Sequence, residues 1–217
     1  MDETIRNIAV YALPVLFAIT LHEAAHAYAA RYFGDNTAYS QGRMSLNPLV
    51  HVDIWGTVVI PIMMYLFTPF VFGYAKPVPV DFSRLRNPKR DMAWVALAGP
   101  IANLLMAALW LLFAALLVFF GVNEAFPRRM AEAGILTNLL IMAFNLLPIP
   151  PLDGGRVLTS MLPNSLAYKF AQIEPYGFFI VLGLVFLKLV GYWVVPVMAA
   201  GRWVVDLMVL PFTFLMF

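Results

Sequence analysis

The chain has 217 residues, of which 62% are hydrophobic and 12% are charged, with a net charge of +2. Soluble domains are about 45–50% apolar and about 25% charged, so this composition indicates a polytopic membrane protein. The small, dispersed charge argues against a nucleic-acid partner. Cysteine is absent, which excludes disulfides, thiolate metal sites and a cysteine nucleophile. Any metal must therefore be held by His, Asp or Glu.

The first apolar segment runs from Asn7 to about Arg31 and is long enough to cross a bilayer, which takes roughly 20 residues. It contains LHEAAHAYAA at positions 21–30. His22 and His26 are four apart, so on a helix they share one face and present two imidazoles to a zinc ion. Glu23 flanks that face, where it is placed to take a proton from a zinc-bound water.

Two alternatives compete with the zinc interpretation of this motif. Paired histidines on a helix are often satisfied core residues, and HExxH also recurs by chance. Ionisable residues within an apolar segment are costly and usually functional, which favours the metal site. The N-terminus lacks a basic region before this segment, so we expect no cleaved signal peptide.

The next stretch, Gly34–Asp53, carries turn-forming residues and a short alternating pattern. It predicts a β-hairpin at the membrane surface. The third histidine, His51, lies near its end. His51 is open to three interpretations: a zinc ligand, a residue that supports the ligands or the substrate, or an ordinary interfacial histidine.

Ile54–Tyr74 is apolar and interrupted by Pro61 and Pro69. The loop that follows, Lys76–Met92, is rich in Lys and Arg, which favours a cytoplasmic location. Pro77 and Pro79 predict an extended backbone at 75–80. That segment is either a plain linker or an edge that pairs with a substrate strand.

Ala93–Phe120 is predicted to be a transmembrane helix. Gly99 and Pro100 near its start permit close packing or a kink. Asn103 is an amide in an apolar helix, and it either bonds between helices or reaches the site. The first of these is the better-attested use of such an amide.

Ala133–Pro148 is the next predicted crossing, and it leads into a proline-rich turn before Asp153. Asp153 is a lone carboxylate in apolar surroundings. It is either the N-cap of the following segment or a third zinc ligand. Ile180–Ala200 predicts another spanning helix, and Trp203–Phe217 a short apolar end that crosses only partly or lies in the interface.

Topology provides a consistency test for this set of residues. If Asp153 joins His22 and His26, all three must lie at one depth. A full crossing by Ile54–Tyr74 would put the basic loop outside the cell and would bring Asp153 to the side of the membrane opposite the histidines. If Ile54–Tyr74 instead enters and returns, Asp153 reaches the histidines on the cytoplasmic side. We therefore expect a re-entrant segment here.

Three motifs give the chain a resemblance to the site-2 protease family of intramembrane zinc metalloproteases. They are HEAAH at His22–His26, AGPIAN at Ala98–Asn103 and NLLPIPPLDGG at Asn145–Gly155. HExxH alone is weak, but its combination with the third motif in a polytopic chain is specific. The matching pieces extend from about Leu21 to Arg156. An extra proline in PIPPLDGG is the one departure.

The resemblance implies one zinc ion per chain, with His22, His26 and Asp153 as ligands and Glu23 as the catalytic base. It also suggests that Asn145 holds the substrate or stabilises the oxyanion. The expected substrate is a transmembrane protein or peptide in the lipid bilayer, cut in or near its membrane-spanning segment.

The predicted fold class is an all-α polytopic membrane protein with five to six transmembrane or re-entrant segments and a small membrane-associated β-hairpin. We expect a single metalloprotease domain over 1–217, with a core at 7–156 and C-terminal helices at 176–217. PDZ and CBS domains are not expected. The predicted location is the plasma membrane, with the active site toward the cytoplasm.

Two other functions compete with proteolysis. A zinc transporter or channel could use the same three ligands as a transit site, but such proteins often show an internal repeat, and none is visible here. It would also leave Glu23 without a role. A catalytically silent scaffold is hard to reconcile with a complete set of catalytic groups.

Overall fold

The computed structural model of the chain describes residues 3–59, 63 and 76–216, and every regular element in that part is helical. A π-helical turn at Ile54–Val59 and a 3₁₀ turn at Phe82–Arg84 accompany the α-helices. The α-helices are α1 Glu3–Tyr32, α2 Thr37–Ser40, α3 Pro48–His51, α4 Pro88–Phe119, α5 Ala125–Asn145, α6 Asp153–Met161, α7 Asn164–Ala171, α8 Glu174–Phe186 and α9 Gly191–Met216.

Three of these helices, α1, α4 and α9, are long and apolar enough to cross a membrane. The pair α7 and α8, bent by 66°, would raise the number to four if it forms one span. The prediction of an all-helical membrane protein is confirmed. The total of five to six membrane segments stays a prediction. Of the expected re-entrant stretch Ile54–Tyr74, all but 54–59 and Met63 lies outside the described residues.

The predicted β-hairpin at Gly34–Asp53 is wrong, because the described chain contains no strand there. The stretch instead forms α2 and α3. Asn47 begins α3 by accepting the backbone N–H of Leu49, and Pro48 occupies the first helical position, where its missing N–H costs nothing. These local bonds satisfy the backbone, so the short alternating pattern needs no partner strand.

The predicted boundaries of the C-terminal helices also differ from the structure. The helix expected over Ile180–Ala200 is interrupted between α8 and α9, and Trp203–Phe217, expected as a separate short end, falls almost entirely within the long helix α9. Lys188 causes the break. Its φ of 59° is left-handed, a conformation that ends helices. The run of apolar residues around Lys188 concealed this stop signal.

The core forms where α4, α5 and α9 meet, and α1 packs against both α4 and α5. Its buried residues are largely small or branched, which lets the helices approach closely. They are Ala107, Ala108, Ile135, Leu139, Met142, Val205 and Val209. This packing places the motif-bearing half of α1 directly beside the start of α4.

One ion pair lies on an otherwise apolar helix. The Arg202 Nε atom donates to Asp206 Oδ1 at 2.8 Å, one turn apart on α9. Both side chains are about half exposed. Arg202 lies halfway along the 24-residue stretch Gly191–Phe214 that is long enough to cross a membrane.

Candidate metal centre

The two histidines of α1 face the start of α4. His22 and His26 are both buried, and their Nε2 atoms lie 3.1 Å apart. An alanine-rich sequence surrounds them, and Ala24, Ala27 and Ala30 are almost completely buried. These small side chains let neighbouring segments approach α1 without covering the imidazoles.

The loop before α6 carries Asp153 to the histidines. Gly154 and Gly155 make this possible, since a Cβ atom on Gly154 would lie 2.2 Å from the carbonyl oxygen of Leu146. The first turn of α6 therefore packs directly on the backbone of the proline-rich loop. Leu152 occupies the N-cap position and Asp153 is the first helical residue. The N-cap interpretation of Asp153 is wrong.

The three side chains converge on one point. Asp153 Oδ2 lies 3.2 Å from His22 Nε2, and Asp153 Oδ1 lies 3.4 Å from His26 Nε2. A tetrahedral zinc ion with bonds of about 2.0–2.1 Å separates its ligand atoms by about 3.3 Å. Within the described part of the chain this is the one group of three such side chains that could hold a metal ion.

Hydrogen bonds fix the tautomer of His22. Asn103 Nδ2 donates to the carbonyl of Ala18 and to Asn138 Oδ1, while Asn138 Nδ2 donates to the carbonyl of Gly134. Because backbone carbonyls can only accept, both amides have one possible orientation. Asn103 Oδ1 therefore accepts from His22 Nδ1 at 2.6 Å. The proton lies on Nδ1, and the Nε2 lone pair faces Asp153.

His26 is fixed in the same way, since its Nδ1 donates to the carbonyl of Val95 at 2.7 Å. Two imidazole lone pairs thus face each other beside a buried Asp153 Oδ2 atom that accepts no hydrogen bond. Three acceptor atoms without a donor among them repel unless a cation lies between them. Two neutral imidazoles and one carboxylate are a donor set that zinc prefers, so the residues present fit a catalytic zinc ion.

Gly99 of α4 provides the space for this centre. A Cβ atom on Gly99 would lie 2.4 Å from His26 Nε2 and 2.7 Å from His22 Nε2, well inside contact distance. The absence of a side chain at Gly99 therefore leaves the two metal-facing nitrogens accessible. The sequence indicated only packing or a kink at this position.

Glu23 is half-buried on the flank of the histidine face. Its Oε2 atom accepts the backbone N–H of Val78 at 2.7 Å. A carboxylate has two oxygens, so this bond engages one of them.

Asn145 and His51 form hydrogen bonds with backbone carbonyls rather than with His22, His26 or Asp153. Asn145 ends α5, where its Nδ2 donates to the carbonyl of Ile141 at 3.0 Å. His51 is only 1% exposed, and its Nε2 donates to the carbonyl of Ser45 at 2.8 Å. This bond gives His51 a structural role within the stretch Gly34–Asp53.

Sequence reasoning missed two of the groups that orient the histidines. Asn138 orients Asn103, although an amide in the middle of an apolar helix is itself a signal that could have identified it. The Val95 carbonyl carries no side-chain signal, so no residue pattern could have indicated it.

The network predicts the effect of losing the Asn103 amide. We expect Asn103→Ala to weaken zinc binding by about 10- to 100-fold, because His22 loses the acceptor that fixes its tautomer. Titration of the purified apo-protein with zinc measures this change. Asn123→Ala is the matched control, since Asn123 is exposed and its side chain accepts a hydrogen bond from Arg128, far from the three converging side chains in sequence and on the loop before α5. Equal zinc affinities in both variants would contradict the prediction.

Comparisons with known proteins agree with this chemistry. The model of peptidase family M50 matches residues 10–135 and 123–188. One relative is YwhC of Bacillus subtilis, which is named as a candidate zinc metalloprotease. It is 36% identical over 195 residues, which cover 88% of this chain and 86% of the relative. Rip2 of Mycolicibacterium smegmatis, named in the same way, is 30% identical over 82% of this chain and 67% of its own length.

Zinc metalloprotease MJ0392 of Methanocaldococcus jannaschii is a more distant relative, 22% identical over 74% of this chain and 36% of its own length. No solved structure gives a significant match. The family match covers most of the chain and includes the segments that carry His22, His26 and Asp153. The chain therefore belongs to peptidase family M50, the site-2 protease family, and is a zinc metalloprotease of the membrane.

Proposed function

We propose that this protein hydrolyses peptide bonds in or near the transmembrane segments of other membrane proteins. His22, His26 and Asp153 hold one zinc ion, and Glu23 is the general base. The observation that carries this proposal is the convergence of the three side chains, whose facing nitrogen and oxygen atoms lie 3.1–3.4 Å apart. Two of the three belong to α1, a helix that is itself apolar enough to cross a membrane. A site at that position meets substrates within the bilayer.

The chain's own residues supply the proton transfers. Zinc, when bound, is a Lewis acid that lowers the pKa of water and polarises a carbonyl. The Glu23 oxygen not engaged by Val78 takes the proton of the attacking water. Glu23 then passes that proton to the leaving amine as the peptide bond breaks. Asn103 and the Val95 carbonyl keep both imidazoles oriented throughout.

Asn145 is assigned a contact with the substrate. It is half-buried as the last residue of α5, directly before the loop that delivers the third ligand, Asp153. Its Nδ2 donates one hydrogen to the Ile141 carbonyl and keeps a second. We assign that second hydrogen to a substrate carbonyl near the site.

The site is assigned to the cytoplasmic side of the plasma membrane in a single membrane-embedded domain. The support is the density of basic residues over Lys76–Met92, a stretch that runs into the first turn of α4 and lies close to the end of α1 that carries the histidines. Arg86 in this segment donates to the carbonyl of Tyr32, the last residue of α1. Short basic loops of this kind stay in the cytoplasm.

The zinc content of detergent-purified protein tests the ligand set without a substrate. We expect about one zinc per chain in the wild type, as in a three-ligand catalytic site. His26→Ala and Asp153→Ala should both lose their zinc. Removal of a ligand should lower the zinc affinity by more than the 10- to 100-fold that follows from the loss of an outer hydrogen-bond partner. Glu124→Ala is the control for Asp153→Ala, because Glu124 is an exposed carboxylate before α5 whose side chain caps no backbone group.

Retention of zinc by Asp153→Ala would remove Asp153 from the ligand set and end the proposal in this form. Loss of zinc from Glu124→Ala as well would show that the assay reports general destabilisation. Inductively coupled plasma mass spectrometry on monodisperse protein measures the content of all four proteins.

A further inference from the structure

Residues 76–81, which we call the strap, cross α1 beside the metal centre. The side chain of Val78 is buried and packs with Ala27 of α1 and Ala38 of α2. This contact presses the backbone of the strap against the face of α1 that carries Glu23. The strap is thus an integral part of the site's surroundings.

The strap offers a single backbone donor at its centre. Pro77 and Pro79 have no N–H group, so Val78 is the only donor among these three residues. Its N–H donates to Glu23 Oε2 at 2.7 Å. Hydrogen bonds to a carboxylate are short and roughly twice as strong as neutral ones. The Pro-Val-Pro sequence therefore directs one donor to one carboxylate oxygen.

The first end of the strap is held by Arg43. Its Nη2 atom donates to the carbonyls of Lys76 and Pro77 at 2.9 and 3.4 Å, while its Nη1 atom donates to the carbonyl of Val50. The backbone N–H of Lys76 also donates to the carbonyl of His51 at 3.0 Å. The guanidinium fork thus joins the strap to the segment that contains α3.

The second end is held by Asp35, which is 1% exposed. Its Oδ2 atom accepts the backbone N–H of Asp81 at 2.8 Å, and its Oδ1 atom accepts the N–H of Thr37 at 2.9 Å. Asp35 lies in the turn that follows α1, after Phe33 and Gly34, so this bond ties the strap to the end of the helix that carries the metal centre. Both ends of the strap are therefore anchored, with the Glu23 contact between them.

We propose that the strap positions the catalytic base, with Arg43 and Asp35 as positioning residues that act through Val78. The Val78 N–H holds one oxygen of Glu23 and leaves the other directed to the water. This inference rests on the proposed role of Glu23. A base held by one fixed bond loses less rotational freedom on the way to the transition state than a free side chain does.

Hydrogen exchange tests the contact independently of activity. Within 76–80 only Lys76, Val78 and Val80 carry an amide hydrogen, since prolines have none. We expect the Val78 amide to exchange at least about tenfold faster in Glu23→Ala than in the wild type, because the charged acceptor is lost. The Val80 amide, which donates to no group in the described chain, is the internal control. Unchanged exchange at Val78 would overturn the contact.

An amide-to-ester replacement at Val78 tests the positioning. It removes the N–H and leaves the valine side chain in its place. We expect kcat to fall about tenfold with KM and zinc content unchanged, on a fluorescent single-span membrane protein that the wild type cleaves. The same replacement at Val80 should leave kcat unaltered. An unaltered kcat in the Val78 ester would refute the proposal.

Arg43→Lys provides a second route that needs no backbone chemistry. Lysine keeps the charge but cannot form the fork that holds two strap carbonyls and Val50 together. We expect a lower kcat, unchanged zinc content and faster exchange at Val78. A lower kcat without a change in exchange would show that Arg43 does not act through the strap. If Glu23→Gln proved fully active, the role of Glu23 would fail, whereas the exchange result for the contact would still stand.

Discussion

Glu23→Gln is expected to lower the rate of proteolysis by about 10²- to 10⁴-fold, the usual contribution of a general base. Glutamine keeps the size of the side chain and an oxygen that accepts the Val78 N–H, but it cannot take a proton from water. Zinc should remain bound, because Glu23 is not among the three converging side chains. Cleavage of a tagged single-span membrane protein and zinc analysis of the same sample measure both quantities.

Glu124→Gln is the control for this substitution. Glu124 is exposed before α5 and caps no backbone group with its side chain. The Glu124→Gln protein should cleave the substrate at the wild-type rate. A Glu23→Gln protein with wild-type activity would exclude Glu23 as the base, and a protein that had lost its zinc would show a structural role instead.

Gly99→Ala is expected to prevent zinc binding with a single methyl group. The new Cβ atom would lie 2.4–2.7 Å from the imidazole atoms that face Asp153. One of three groups must then move: α4, His22 or His26. The histidines are held at Nδ1 by Asn103 and the Val95 carbonyl, so a shift breaks those bonds as well. We expect zinc affinity to fall by more than about 100-fold, beyond the effect of losing one outer partner.

Gly183→Ala is the matched control, since a Cβ atom there meets nothing within 4 Å. Alanine also favours helix over glycine, so this variant should be at least as stable as the wild type and should bind zinc fully. Isothermal titration with zinc and circular dichroism of both proteins distinguish a blocked site from an unfolded one. A Gly99→Ala protein with full zinc affinity would contradict the close approach of α4 to the histidines.

Part of the candidate metal centre could be predicted because it depends on local sequence spacing. The four-residue spacing of His22 and His26 fixes their common face as soon as the segment is a helix. For Asp153 the local sequence left both the N-cap and the ligand interpretation open, and the ligand role followed from the resemblance to the site-2 protease family and from the topology argument. The position of Asp153 therefore depends on how distant parts of the chain pack, whereas the shared face of the two histidines does not.

The support of the site depends on tertiary contacts and could not be predicted in the same way. Gly99 matters because of what faces it across the α1–α4 contact, and Val78 matters through its backbone N–H. The expected β-hairpin failed for a related reason. The alternating pattern near Arg43 has no partner strand among the residues that the structure describes, and the guanidinium of Arg43 donates to carbonyls of the strap instead.

The ion pair halfway along α9 has a consequence for the biogenesis of the protein. Inserting an Arg or an Asp at the centre of a membrane helix costs about 2.5–3.5 kcal/mol each. Arg202 and Asp206 are one turn apart and bonded within their own helix, so the pair can form as soon as α9 is helical. Where α9 crosses the bilayer, it then enters with its opposite charges already neutralised, and replacing either residue alone would leave the other as an isolated charge in the lipid.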